Sequence, residues 1–217
     1  MNFVKKQQIS PTALAALLHH CHVRNYPAKV TVIRPGDIGD KLLMVLEGSV
    51  TVSLEDEDGH ELILAYLKQY DFIGEIGVFK LSEKRSAFVK TRSRCQMAEI
   101  GYERFRALLN SDLSEHAVEL LMILGEQLSN RLLLTNTKYK DLAFMDVEGR
   151  IARTLLDLTK EPDAITHPEG MQLHITRQEI GRIVGCSREM AGRVLKELED
   201  KGLISAHGKT IVVFGTR

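Results

Sequence analysis

The chain has 217 residues, 44% apolar and 27% charged, with 29 Lys plus Arg against 29 Asp plus Glu. That size allows one large domain or two ordinary ones, and the balance is that of a globular protein. No stretch approaches eighteen consecutive apolar residues, which argues against a membrane span. Three scattered cysteines, Cys21, Cys95 and Cys186, argue against a disulfide framework or zinc site and are too few for a four-thiolate iron–sulfur cluster.

The N-terminal MNFVKKQQISPTALAALLHH carries a lysine pair and a short, interrupted apolar run without a secretory h-region, so a cytoplasmic location is expected. Residues 12–22 have helical spacing. After Tyr26-Pro27 the pattern changes to short β segments: KVTVIR, KLLMVLEGSVTVSL, ELILAYL, SAFVKT and CQMAEI. Most are bounded by turn signals such as Pro35-Gly36-Asp37, Glu47-Gly48-Ser49 and Asp58-Gly59, the last at the tip of a predicted hairpin. Regularly spaced short strands with glycine turns predict an antiparallel barrel, roll or sandwich.

From Ser114 to Leu142 there is no proline, and the only glycine is Gly125. Leu121, Leu124, Leu128, Leu132, Thr135, Tyr139 and Leu142 step by three or four, close to a coiled-coil seam. A rod of roughly 43 Å at about 1.5 Å per residue is too long to bury within one small domain, so pairing with a second copy in a homodimer is expected. Asp146 is placed to cap the next helix, VEGRIARTLLDLTK. Pro162 and Pro168 then enclose an expected exposed loop, EPDAITHPEGM. The final LISAHGKTIVVFG predicts a strand, a Gly208 turn and a strand.

Between these lies RQEIGRIVGCSREMAGRVLK. Counted from Arg177 as one, Gly181 falls at five and Gly185 at nine, with Ile180, Val184, Cys186, Ala191 and Val194 at four, eight, ten, fifteen and eighteen. A helix-turn-helix needs this arrangement: a small residue where the helices nearly touch, a glycine for the left-handed turn, and apolar positions forming the pocket between them. Thr176 and Ser187 are predicted N-caps, and Glu179 sits at the capping-box position. Arg188, Glu189 and Arg193 fall on the first turns of the second helix, which enter the major groove in such motifs. There arginine pairs with guanine O6 and N7, and glutamate accepts from cytosine N4. Glu189 and Arg193, four apart, are also spaced to pair with each other. Arg177 and Lys209 suit phosphates. From Arg177 onward the chain holds eight basic residues against five acidic ones, a weak electrostatic signal in the same direction.

These residues, together with DFIGEIGVF, KRSAFV and LAFMDVEGRIARTLLDL, resemble the bacterial cyclic AMP receptor protein (catabolite activator) family over nearly the whole chain. The resemblance implies an α+β fold. A jelly-roll-like, cyclic-nucleotide-binding β-roll would occupy residues 1–113, a dimerisation helix and hinge 114–143, and a winged helix-turn-helix 144–217. It implies a nucleotide site at Gly74, Glu75, Ile76, Gly77, Arg85 and Ser86. Glu75 would accept from the ribose 2′-hydroxyl, Arg85 would neutralise the cyclic phosphate and Ser86 would add a donor. Thr135 and Asn136 would meet the adenine, one of them from the partner subunit; Asn136 stands where serine or threonine is usual.

By the same resemblance cAMP is an allosteric ligand. It would extend the long helix through a hinge at Leu142–Asp146, reorienting the DNA-binding domains of a homodimer on palindromic double-stranded DNA. RNA polymerase is the implied partner, touching residues 164–170 and a surface around His22, Arg24, Glu99 and Arg104. A related fold sensing haem, cyclic di-GMP or redox state, or acting without ligand, is the alternative. An enzyme acting on a cyclic phosphate is disfavoured, because the eight histidines form no convincing metal spacing. The segment NSDLSEHAVEL is longer than in relatives, with no implied role.

Overall fold

The computed structural model describes residues 9–80, 84–161 and 163–216. The chain divides into two compact units: Met1–Leu54 with Leu64–Thr135, and Glu55–Ile63 with Asn136–Arg217.

The first unit is built on two four-stranded sheets. One is formed, in spatial order, by His22–Tyr26 (β1), Cys95–Gly101 (β8), Lys41–Glu47 (β3) and Phe72–Ile73 (β6). The other is formed by Thr31–Ile33 (β2), Phe88–Thr91 (β7), Val50–Glu55 (β4) and Glu61–Leu67 (β5). The strand pairs β1–β8, β3–β8, β3–β6, β2–β7 and β4–β7 are all antiparallel. Most strands match the apolar segments of the sequence. β1 had no such signal because it is a sheet-edge strand with four of its five residues exposed. The β4–β5 hairpin turns at Gly59, whose φ of +80° is the left-handed conformation the Asp58-Gly59 pair suggested. Its tip, Glu55–Ile63, is the segment that belongs to the second unit.

Helix α1 (Pro11–His19) is capped by the Ser10 hydroxyl, which accepts from Ala13 N. It packs with α3 (Tyr102–Leu109) and the start of α4 (Ala117–Phe144) around Phe72, Phe105, Leu113, Leu120 and Leu124. The NSDLSEHAVEL segment therefore has a structural use: Leu113 is fully buried, and a 3-10 turn at Ser114–His116 leads into α4.

The 28 residues of α4 form one uninterrupted helix. Its apolar residues do not form the single seam read from the sequence. Leu120, Ile123 and Leu124 are buried within the first unit, whereas Leu132, Tyr139 and Leu142 are exposed. Leu124 faces its own sheet core because the character of the helix changes along its length, and spacing alone does not show where.

In the second unit α5 (Val147–Leu158) begins at Asp146, whose carboxylate accepts from Gly149 N at 2.8 Å. The expected loop after it is a hairpin. Ile165–His167 (β9) pairs with Gly170–His174 (β10), which joins Thr210–Phe214 (β12) and then Ile204–His207 (β11) in one antiparallel sheet. Pro162 lies outside the described residues. Helices α6 (Arg177–Val184) and α7 (Arg188–Asp200) pack over a core of Ile151, Leu155, Ile180, Ala191, Val194 and Leu198.

The turn between these helices follows the sequence logic closely. Gly185 ends α6 at φ +72° and ψ 53°. A Cβ on Gly181 would stand 2.6 Å from the Cys186 carbonyl oxygen, so only glycine fits there. Gly181→Val is expected to cost about 1–3 kcal/mol through forced separation of α6 and α7. Thermal denaturation measures this, and an unchanged melting temperature would contradict the close approach.

Candidate nucleotide and nucleic-acid sites

Phe72–Ile73 ends in a turn at Gly74 (φ +81°), after which Glu75 leads into the short helix α2 (Ile76–Phe79). Gly74 is required by its left-handed backbone, and Gly77 stands close against Tyr102. A Cβ on Gly74 would lie 2.1 Å from Arg85 Nη1, and one on Gly77 would lie 2.4 Å from the Tyr102 ring. The Tyr102 hydroxyl donates to Gly74 O at 2.6 Å and accepts from Arg85 Nη1 at 2.9 Å. Burial holds this phenol above its ordinary pKa, outweighing the opposing pull of Arg85, so it stays protonated as the donor this arrangement needs. Arg85 Nη2 also donates to Lys41 O at 2.5 Å.

Glu75 is 4% exposed, and a carboxylate this buried requires a partner. Arg131 on α4 supplies it, pairing with Glu75 Oε1 and donating to Phe72 O at 2.6 Å. Gln127, one turn earlier, accepts from Phe72 N and donates to Tyr70 O, fixing the same corner of the sheet. A cavity of about 140 Å³ results, lined by Gly74, Glu75, Ile76, Gly77, Arg85 and Ser86 among others, with apolar walls from Val52, Leu67 and Ile73. All six expected β-roll site residues thus share one cavity. The lining also includes Lys84, Tyr102 and Arg131, which the sequence reading missed. Arg131 carried one usable signal, its position four residues before Thr135 on the same helix. Thr135 and Asn136 are both exposed, and neither is among the residues lining this cavity. Thr135 Oγ1 instead donates to Arg131 O at 2.9 Å.

In the second unit the Ser187 hydroxyl accepts from Met190 N and the Thr176 hydroxyl from Glu179 N, each at 3.1 Å. These two residues act as caps. Arg177, Arg188, Glu189 and Arg193 line one open groove, joined by Gly192 and Lys196, which the sequence reading did not single out. Arg177 passes beside Gly192, where a Cβ would stand in ordinary contact, 3.5 Å from Arg177 Cδ. Glu189 is held below its usual pKa by its own backbone N–H, the Ser187 hydroxyl and Arg188, and so is an ionised acceptor. Arg193 Nη2 lies 3.7 Å from Met190 Sδ, so its guanidinium rests on a thioether one turn back. Lys209 is exposed beside Gly208, at the tip of the β11–β12 wing.

Of the surface residues expected around β1, His22, Arg24 and Arg104 are exposed, but Glu99 is 6% exposed. It accepts from the Tyr26 hydroxyl at 2.6 Å and pairs with Arg24 and Lys41. Burial and the Glu99 carboxylate push the Tyr26 phenol up to about 12. Glu99 therefore supports the β1–β8 edge from within.

A buried carboxylate and an arginine in a β-roll cavity, on a chain that also carries a basic helix-turn-helix face, define a nucleotide-responsive DNA-binding regulator by class. Residues 23–112 match the cyclic nucleotide-binding domain family, and residues 149–214 match the Crp-like helix-turn-helix domain. The chain is 54% identical over 212 residues, 98% of each chain, to the cAMP-activated global transcriptional regulator CRP of Salmonella typhimurium. It is 55% identical over 207 residues, 94% of each, to the cAMP-activated global transcriptional regulator Vfr of Pseudomonas aeruginosa. The solved structure of the c-di-GMP responsive global regulator CLP of Xanthomonas campestris superposes with a TM-score of 0.91 at 48% identity, covering 95% of this chain and 100% of that one. The chain belongs to the Crp family of transcriptional regulators. No described helix is long and apolar enough to cross a membrane.

Proposed function

We propose that this chain is a homodimeric, cAMP-dependent transcription regulator of the cytoplasm that binds palindromic promoter DNA and contacts RNA polymerase, with no catalytic activity of its own. The observation that carries this reading is Glu75, buried in a cavity that Arg85 also lines, at a turn whose Gly74 is left-handed. That donor set suits a cyclic nucleotide. Arg85 holds the cyclic phosphate, with Ser86 adding a donor, while Glu75 accepts from the ribose 2′-hydroxyl that cAMP keeps free. Gly74, Ile76 and Gly77 supply backbone and wall. Thr135 and Asn136, exposed on α4, meet the adenine once a second copy packs along that helix.

The exposed Leu132, Tyr139 and Leu142 support pairing of α4 with a second copy. In the DNA complex Arg188, Glu189 and Arg193 read bases, while Thr176, Arg177, Ser187 and Lys209 position the backbone. Residues 164–170, with His22, Arg24 and Arg104, are the proposed polymerase-facing surface.

Cyclic di-GMP is the second reading, favoured by the Xanthomonas neighbour; the relatives described as cAMP-activated favour cAMP. Isothermal titration with cAMP, cGMP and cyclic di-GMP, followed by DNA titration with and without the ligand that binds, separates the two. Absence of heat with cAMP would sink the main reading. Arg188→Ala is expected to lose about 1–3 kcal/mol of discrimination at one base position. A uniform loss across all sequences would instead make Arg188 a phosphate contact.

A further inference from the structure

The strand that leads into the nucleotide turn, β6, stands at the end of its sheet beside β3. Side chains of α4 meet its backbone. Phe72 N donates to Gln127 Oε1 at 2.9 Å, and Arg131 Nη2 donates to Phe72 O at 2.6 Å. Gln127 Nε2 also donates to Tyr70 O at 3.1 Å, so one amide joins two backbone groups. Tyr70 stands at φ +67°, a left-handed conformation that is strained for a bulky side chain. A few residues on, Gly74 is left-handed as well, at φ +81°, and Glu75 follows it. The place of the Glu75 carboxylate therefore depends on what pins the run from Tyr70 to Gly74. Gln127 is 5% exposed, and an amide this buried needs both its ends satisfied; both are committed to this run. Arg85 is anchored separately, on the Tyr102 hydroxyl and the Lys41 carbonyl, and neither contact involves α4.

We propose that Gln127 is a positioning residue for nucleotide recognition: it holds the run from Tyr70 to Gly74 so that Glu75 meets the ribose 2′-hydroxyl. The proposal rests on the cAMP-dependent reading above. A hydrogen bond discriminates between ligands when its acceptor is already in place, because a carboxylate that must first be ordered gives back part of what the contact contributes. Releasing the run leaves the arginine end of the site intact and loosens the ribose end. Loss of Gln127 therefore acts on one part of the ligand, whereas general destabilisation of the unit acts on all of it.

The test titrates the full-length protein with cAMP and with 2′-deoxy-cAMP, which lacks the hydroxyl, and reads the ratio of the two dissociation constants. The wild type is expected to prefer cAMP by about tenfold or more, the effect of one hydrogen bond to a charged group. Gln127→Met is expected to reduce that preference to about twofold, weakening cAMP while leaving the 2′-deoxy analogue near its wild-type affinity. Gln127→Asn keeps an amide in the core at shorter reach and is expected to act in the same direction. Ile123→Val, one turn earlier in α4 and also buried, controls for packing: it lowers the melting temperature and keeps the preference. A folded Gln127 variant with the wild-type preference, an equal loss of preference in Ile123→Val, or loss of folding in both Gln127 variants would overturn the positioning role alone. A wild type that binds cAMP no better than the 2′-deoxy analogue would overturn the Glu75–ribose contact and the positioning role with it. A wild type that binds no cAMP would overturn the functional reading itself.

Discussion

Arg85→Leu is expected to weaken cAMP binding about a hundredfold or more and to abolish cAMP-dependent DNA binding, while the protein remains folded. The arginine is the charged fork of the cavity, and losing charge-assisted hydrogen bonds to a phosphate costs on the order of 3 kcal/mol, about two decades of affinity. The fold should survive because Arg85 is only half-buried and leucine leaves no charge behind. The groups it serves, the Tyr102 hydroxyl and the Lys41 carbonyl, are both neutral, so neither is left as an unpaired charge. Tyr102 still donates to Gly74 O. Calorimetric titration with cAMP, paired with a melting curve, checks both halves. A variant that still binds DNA only when cAMP is added would show that the ligand assignment is wrong.

The second large effect is on stability. Arg131→Met is expected to destabilise the first unit by about 3–5 kcal/mol, because it leaves the Glu75 carboxylate buried without its cation. The double variant Arg131→Met with Glu75→Gln should recover much of that loss, since an amide at position 75 carries no charge to desolvate. Calorimetric unfolding of the two variants separates the electrostatic cause from lost packing. Equal destabilisation in both would assign the effect to packing of the arginine stem. The sign also bears on mechanism. A ligand that draws Glu75 away from Arg131 must replace this pair with contacts at least as favourable.

Much of the molecule was legible before its structure. The helix-turn-helix was readable because its constraints are local: a left-handed turn at Gly185, a close approach at Gly181, and hydroxyl caps at Thr176 and Ser187 fall within a short span of chain. The hairpin at Asp58-Gly59, the Asp146 cap and the strands with continuous apolar runs were readable for the same reason. The Gly74–Glu75 turn and Arg85–Ser86 pair were recognisable through family resemblance, which named the residues and left their present partners unspecified.

Other features depend on contacts between residues far apart in sequence. Arg131 reaches Glu75 from another element, and its place four residues before Thr135 does not show that its partner is Glu75. The assignment of Leu124 to the sheet core rather than the exposed stripe, and of Glu99 to the interior of the β1–β8 edge, follows from which neighbours cover those faces. The grip of Glu61 on Arg182 spans more than half the chain. Local propensity and backbone sterics act over a few residues, so the sequence by itself determined the apolar strands, caps, turns and family of this protein. Burial and charge pairing act through space, so only the tertiary structure decided which carboxylates are held, by which arginines, and where the hairpin end rests.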